Sequence, residues 1–131
     1  MCLYTYDKKP LIAKDDIVCY KVVEYNPEMD TYNTPLQKTD VSEYVKNKTI
    51  WKDPSEPPVD RKVVGKGIYD RSLYEIGMGY IHAFREPYGN ITYHVYKCIV
   101  PKGTEYYLGF SNDICARAIQ FVEEYKPEEE C

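Results

Sequence analysis

Leucine is scarce in this 131-residue chain, present only as Leu3, Leu11, Leu36, Leu73 and Leu108. Unbranched side chains lose least freedom in helices, so this shortage argues against a mostly helical chain. No two cysteines are spaced C-x-x-C, and none forms a metal or redox pattern. No stretch approaches the roughly 18 apolar residues of a membrane helix, so no membrane association is expected. Histidine is limited to His82 and His94, without H-E-x-x-H spacing, and no metal site is expected. Gly65-Lys66-Gly67 lacks the P-loop frame, because Lys66 is followed by Gly67 and Ile68. No G-x-S-x-G elbow and no internal repeat occurs. These absences leave no recognised catalytic motif and call for no cofactor.

What the chain has in excess is tyrosine: fifteen, against three phenylalanines and one tryptophan. Tyrosine suits half-wet positions, where its ring packs and its hydroxyl bonds. It also favours strands and anchors binding surfaces. Valine and isoleucine add twenty-one branched side chains, which fit a pleated sheet. The composition predicts an α+β, mostly β fold: one antiparallel twisted sheet or a partly open barrel, with one or two short helices.

Charge is unevenly placed. Residues 123–131 hold five glutamates against Lys126, which accounts for the whole formal net charge of −4. The expected organisation is one globular domain over 1–122 and an acidic C-terminal tail over 123–131. A neutral body with an acidic tail is a poor match for nucleic acid, which needs clustered Lys and Arg. The odd count of five cysteines and the lack of a signal peptide point to a cytoplasmic location.

Residues 17–25 read as a central strand and 91–100 as a second long strand. Shorter strands are expected at 1–6, 49–52, 77–84 and 105–110. Asp40 and Glu43 suggest a capped helix over 40–46. Residues 26–35 read as a loop, and 53–60, with Pro54, Pro57 and Pro58, as an extended loop that is either a mobile surface or a binding segment. Residues 112–126 fit a helix or a strand; the preferred reading is a turn or helix at 112–116, then a strand at 117–123.

The stretch 75–85 is the first place to seek a site. Alternation places Tyr80, His82 and Phe84 on one strand face, with Ile81 and Ala83 toward the core. Gly77 and Gly79 allow a close backbone approach. Glu75 and Arg85 add charge. The binding candidates are Tyr80, His82, Arg85 and Glu75, joined by Tyr106 and Tyr107. Tyr4, Tyr6, Tyr80, Tyr106 and Tyr107 are the rings whose side is undecided. Tyr20, Tyr93 and Tyr96 read as core rings, while Tyr32, Tyr88 and Tyr125 lie where a core explanation fails.

Three segments resemble a loose group of small uncharacterised proteins of phages and gut bacteria. They are Met1-Cys2-Leu3-Tyr4-Thr5 with Pro10-Leu11-Ile12-Ala13 and Asp16-Ile17-Val18-Cys19-Tyr20-Lys21-Val22, Gly79-Tyr80-Ile81-His82-Ala83-Phe84, and Cys98-Ile99-Val100-Pro101-Lys102-Gly103-Thr104-Glu105-Tyr106-Tyr107. The resemblance implies an accessory protein of a mobile element, acting in the host cytosol. The leading expectation is a non-enzymatic protein that binds a protein partner through a Tyr-rich surface. One alternative is a small nucleotide-binding or ADP-ribosyltransferase-like enzyme, with Tyr80, His82 and Arg85 holding the ligand and Glu75 as carboxylate. Another is a virion-associated structural homo-oligomer.

Overall fold

The computed structural model describes residues 3–87 and 94–126. The expected turn at 87–90, Tyr88, Tyr93, Cys2, Cys131 and residues 127–131 of the tail lie wholly or partly outside these. The chain is mostly β, with antiparallel pairing throughout and no closed barrel. The strands are β1 (Leu3–Thr5), β2 (Leu11–Ile12), β3 (Ile17–Asn26), β4 (Thr31–Asn33), β5 (Ile50–Lys52) and β6 (Lys62–Lys66). They continue as β7 (Ser72–Ile76), β8 (Ile81–Phe84), β9 (His94–Val100), β10 (Glu105–Leu108), β11 (Asp113–Ala116) and β12 (Ala118–Glu124). One short helix, α1 (Ser42–Asn47), and a 3-10 turn at Ile68–Asp70 complete the elements.

The large sheet has the order β2-β10-β11-β8-β3-β9-β12-β5, with β4 also paired to β3. β3 is central, as its apolar run predicts. Its core-side residues Cys19 and Val23 are buried beside Cys98, Val100, Ile81, Ala83 and Phe121. Val41 and Val45 bring α1 onto this face, and Trp51 stacks between Tyr44 and Phe121. A smaller sheet, β1-β7-β6, carries a second cluster in which Leu3 and Ile76 meet Tyr80, Tyr107 and Cys115.

Several local expectations need correction. Residues 112–116 are mainly strand β11, because Ile114 and Ala116 pair with Ala83 and Ile81 of β8. The helix-like spacing through 125 arises because two strands meet at Arg117, whose N–H bonds to Glu105. Within 26–35, β4 folds back on β3 and packs Tyr32 against Tyr25 and Tyr96. The expected capping box is not formed: Val41 holds the cap position. Asp40 accepts from Ser42 instead, at its backbone N (2.9 Å) and its Oγ (2.5 Å). Glu123 and Glu124 belong to β12 rather than to a tail, and the Tyr125 N–H bonds to Val95. β7 has no counterpart among the expected strands.

Candidate binding cleft

Arg117 organises the site. One of its Nη atoms donates to Ser55 O at 2.6 Å and to Gly79 O, the other to Asp53 O at 3.3 Å. Three carbonyls from two loops thus converge on one guanidinium, whose rigid fork suits such a role. The Pro-rich loop is therefore pinned, not loose. Gly79 makes the docking possible: its φ is +88°, and an added Cβ would stand 2.7 Å from the Pro57 backbone. A strained conformation and a close approach both require glycine here. The strand therefore starts at Ile81, and 77–80 is the turn that meets this loop.

Arg61 closes the other end. Its Nε donates to the Tyr107 hydroxyl at 2.8 Å and its Nη1 to Pro58 O at 2.7 Å. The guanidinium also lies over the Tyr107 ring, 5.1 Å from its centroid. Between these clamps is a cleft of about 280 Å³, walled by Pro57, Pro58, Ile76, Met78 and Tyr80. Arg61, Lys62, Asp60 and Glu75 supply its charge. Lys62 and Glu75 stand 3.8 Å apart, a long pair with an exposed ammonium that contributes little.

Of the sequence candidates, Tyr80 and Glu75 line this cleft. Tyr80 is buried, not on a wet face, and packs edge-on against Tyr107 with centroids 5.4 Å apart. Its hydroxyl finds no hydrogen-bond partner among the described residues. Burial pushes its pKa up to about 12. Burial raises that of Tyr107 as well. Tyr106 points to the opposite face of β10 and lines a separate open depression with Leu11 and Ile17.

His82 and Arg85 lie away from the cleft. The His82 Nε2–H donates to Gly77 O at 3.1 Å, and burial holds the ring below the usual imidazole range. Arg85 reaches over the β10–β11 turn to Gly109 O and Ser111 O. Tyr80, His82 and Arg85 therefore do not converge on one ligand. His94 bonds Glu124 at 2.9 Å, and Cys98 faces Cys19 across β3–β9. Among the described residues no cluster of three or more His, Cys, Asp or Glu could hold a metal ion. No helix among them is long and apolar enough to cross a membrane.

The tyrosine surface also needs correction. Of the described tyrosines only Tyr4 and Tyr69 are exposed. Tyr125 packs edge-on against Tyr20, and Tyr96 sits between Tyr32 and Phe121. Exposed large apolar side chains occur along the chain, and five of them, Val59, Val63, Val64, Ile68 and Tyr69, fall within eleven consecutive positions. Tyr69 is 91% exposed with φ +57°, a left-handed conformation costly for a bulky residue.

Sequence reasoning missed Arg61 and Arg117. Their only signal is an arginine next to a Pro-rich loop and one between two apolar runs. It also missed Lys21, which shares a face of β3 with Cys19 and Val23 and donates to His82 O at 2.6 Å. Burial lowers its pKa to about 8. The chain matches no family model, no curated protein and no solved structure.

Proposed function

We propose that this chain is a small interaction protein that binds a protein partner through the β6 hairpin and the cleft beside it. The observation that carries this reading is the run of exposed apolar side chains at 59–69, of which Val59 is 96% exposed. Met78, on the cleft wall, extends it. Exposed apolar side chains concentrated in one segment support a protein-docking role. Tyr69 strengthens the case: left-handed strain held at a 91% exposed ring costs about 1–3 kcal/mol and calls for a compensating use. The pinned loop at 53–61 fits the same role, because a pre-ordered surface loses less entropy on binding. An origin in a phage or other mobile element, implied by the three resembling segments, belongs to the same proposal. The nucleotide-binding alternative gains no support, since its three ligand-holding residues diverge.

A photo-crosslinking side chain placed at position 63 or 69 tests the reading, with exposed Leu36 as the control position. Adducts of one discrete protein from host lysate at 63 and 69, and none at 36, are expected. Equal yields at all three positions, or no protein adduct at 63 and 69, would sink the proposal.

A further inference from the structure

We infer that the outer edge of β6 receives an extended, acidic segment of the partner, which joins the small sheet as a fourth strand. This rests on the interaction reading above and names its mode and chemistry. Among the described residues β6 is the edge of the order β1-β7-β6, and all five of its residues are exposed. A free edge offers a row of backbone donors and acceptors to an incoming strand.

The side chains of β6 select what can join it. Val63 and Val64 supply apolar contact at the middle, and Lys62 and Lys66 stand at the two ends. Neither ammonium is well satisfied: Lys62 meets Glu75 only at 3.8 Å, and Lys66 reaches only Asp70 O at 3.5 Å. Residues 60–71 carry Arg61, Lys62, Lys66 and Arg71 against Asp60 and Asp70, so the edge lies in positive surroundings.

A second copy of the chain is a poor occupant. Antiparallel pairing of β6 with itself sets Lys62 against Lys66 of the other copy, and parallel in-register pairing sets each lysine against its own equivalent. Like charges directly opposite destabilise a strand pair. An occupant with carboxylates three or four residues apart and apolar residues between them meets both lysines and both valines. The spacing follows from the other side of β6, where Lys62 and Lys66 already face Glu75 and Ser72 of β7.

The test uses the full chain and two labelled peptides of equal length, one with glutamates three positions apart flanking two valines and one with lysines in place of those glutamates. Fluorescence anisotropy reads binding, and amide resonances show where it occurs. The glutamate peptide is expected to bind, to shift the Val63–Lys66 amides and to weaken as salt is raised. In the K62E/K66E variant it loses about tenfold in affinity, while the lysine peptide gains binding. That gain could not come from unfolding, and both lysines are exposed. Binding at another strand, no binding at millimolar concentration, or equal affinity for both peptides would overturn the inference. If protein adducts still form at 63 and 69 in that case, the interaction reading stands without it; if they too are missing, both fall.

Discussion

Replacing Lys21 by methionine isolates the effect of a charge held on the core side of the central strand. Lys21 lies between Cys19 and Val23 on β3, opposite Tyr96 of β9, and its Nζ reaches the His82 carbonyl of β8. β3 and β8 pair through one residue pair only, Tyr20 with Phe84, so this bond braces a thin part of the sheet. Burial lowers the Lys21 pKa from 10.5 to about 8, and the facing thiols Cys98 and Cys19 oppose the shift. The folded state therefore disfavours the charged amine. Below about pH 8 the penalty is fully present. Between about 8 and 10.5 the unfolded chain holds a proton that the folded chain has shed, so the penalty fades as pH rises. At 1.36 kcal/mol per unit the shift corresponds to about 3 kcal/mol, and partial exposure of the side chain trims this to about 2 kcal/mol.

Methionine keeps the unbranched shape and removes the charge. It also strips the His82 carbonyl of its donor, at a cost of about 1 kcal/mol. The variant should gain about 1 kcal/mol at pH 7 and lose about 0.5 kcal/mol near pH 10, a change of sign. Urea unfolding followed by Trp51, half-buried between Tyr44 and Phe121, measures both proteins across this range. The comparison must be a difference. Burial pushes Cys19 and Cys115 up to about 12, and Cys98 and Tyr96 are raised as well. For these acids the folded chain keeps protons that the unfolded chain loses above about pH 9, so both proteins weaken in alkali. Most of that decline cancels in the difference, because burial rather than Lys21 is the main cause of each thiol shift. A stability difference flat from pH 7 to 10, or a variant weaker by more than about 3 kcal/mol throughout, refutes the argument.

Three further substitutions probe the site. Tyr69→Gly relieves the left-handed strain and should raise stability by about 1 kcal/mol in urea titration, while lowering the crosslinking yield from position 63. Arg117→Ala leaves three carbonyls without their shared donor and should cost about 2–3 kcal/mol, with new protease cleavage inside 53–60 under native conditions. Tyr107→Phe removes the acceptor of Arg61 Nε at about 1 kcal/mol. It should quicken hydrogen exchange of β6 and β7 amides several-fold and leave β3 and β9 unchanged; equal acceleration everywhere would contradict the coupling through Tyr107.

The parts legible in the sequence are those whose pattern is local. The run at 17–25 announces a strand buried in the middle of a sheet, and Ile81 with Ala83 announces the core side of β8. β7 was not legible because Ser72, Leu73, Tyr74 and Glu75 are all half-buried between two short strands, so no clean alternation marks them. β11 was hidden by the kink at Arg117, which spaces Ile114 and Ala118 four apart, like a helix face. The site was half legible. Glycines at 77 and 79 and a ring at 80 signal close packing, and Gly79 does meet Pro57. What brings the loop there is a guanidinium 38 positions downstream, bonded to Gly79 O. Contacts of that range leave no periodic trace. Tyr80 is buried despite the alternation of 80–84, because it precedes β8 and does not follow that strand's alternation.

The two halves of the site have opposite mechanical characters, and the binding reading uses both. The loop side is ordered in advance: Arg117 and Arg61 hold carbonyls from Asp53, Ser55 and Pro58, so a partner pressing on Pro57 or Pro58 meets a fixed wall. The strand side is unfinished: β6 is exposed along its whole length and pairs on one edge only. A partner strand added there completes backbone pairing and covers Val63 and Val64 together. Removing about 50 Å² of apolar surface from each valine would contribute roughly 2–3 kcal/mol in total at 25 cal/mol per Å². Association costs more than that, so the valines alone cannot hold a partner. The backbone ladder, the two lysines and the cleft have to supply the remainder. This is why charge reversal at Lys62 and Lys66, rather than truncation of the valines, is the sharper probe of the surface.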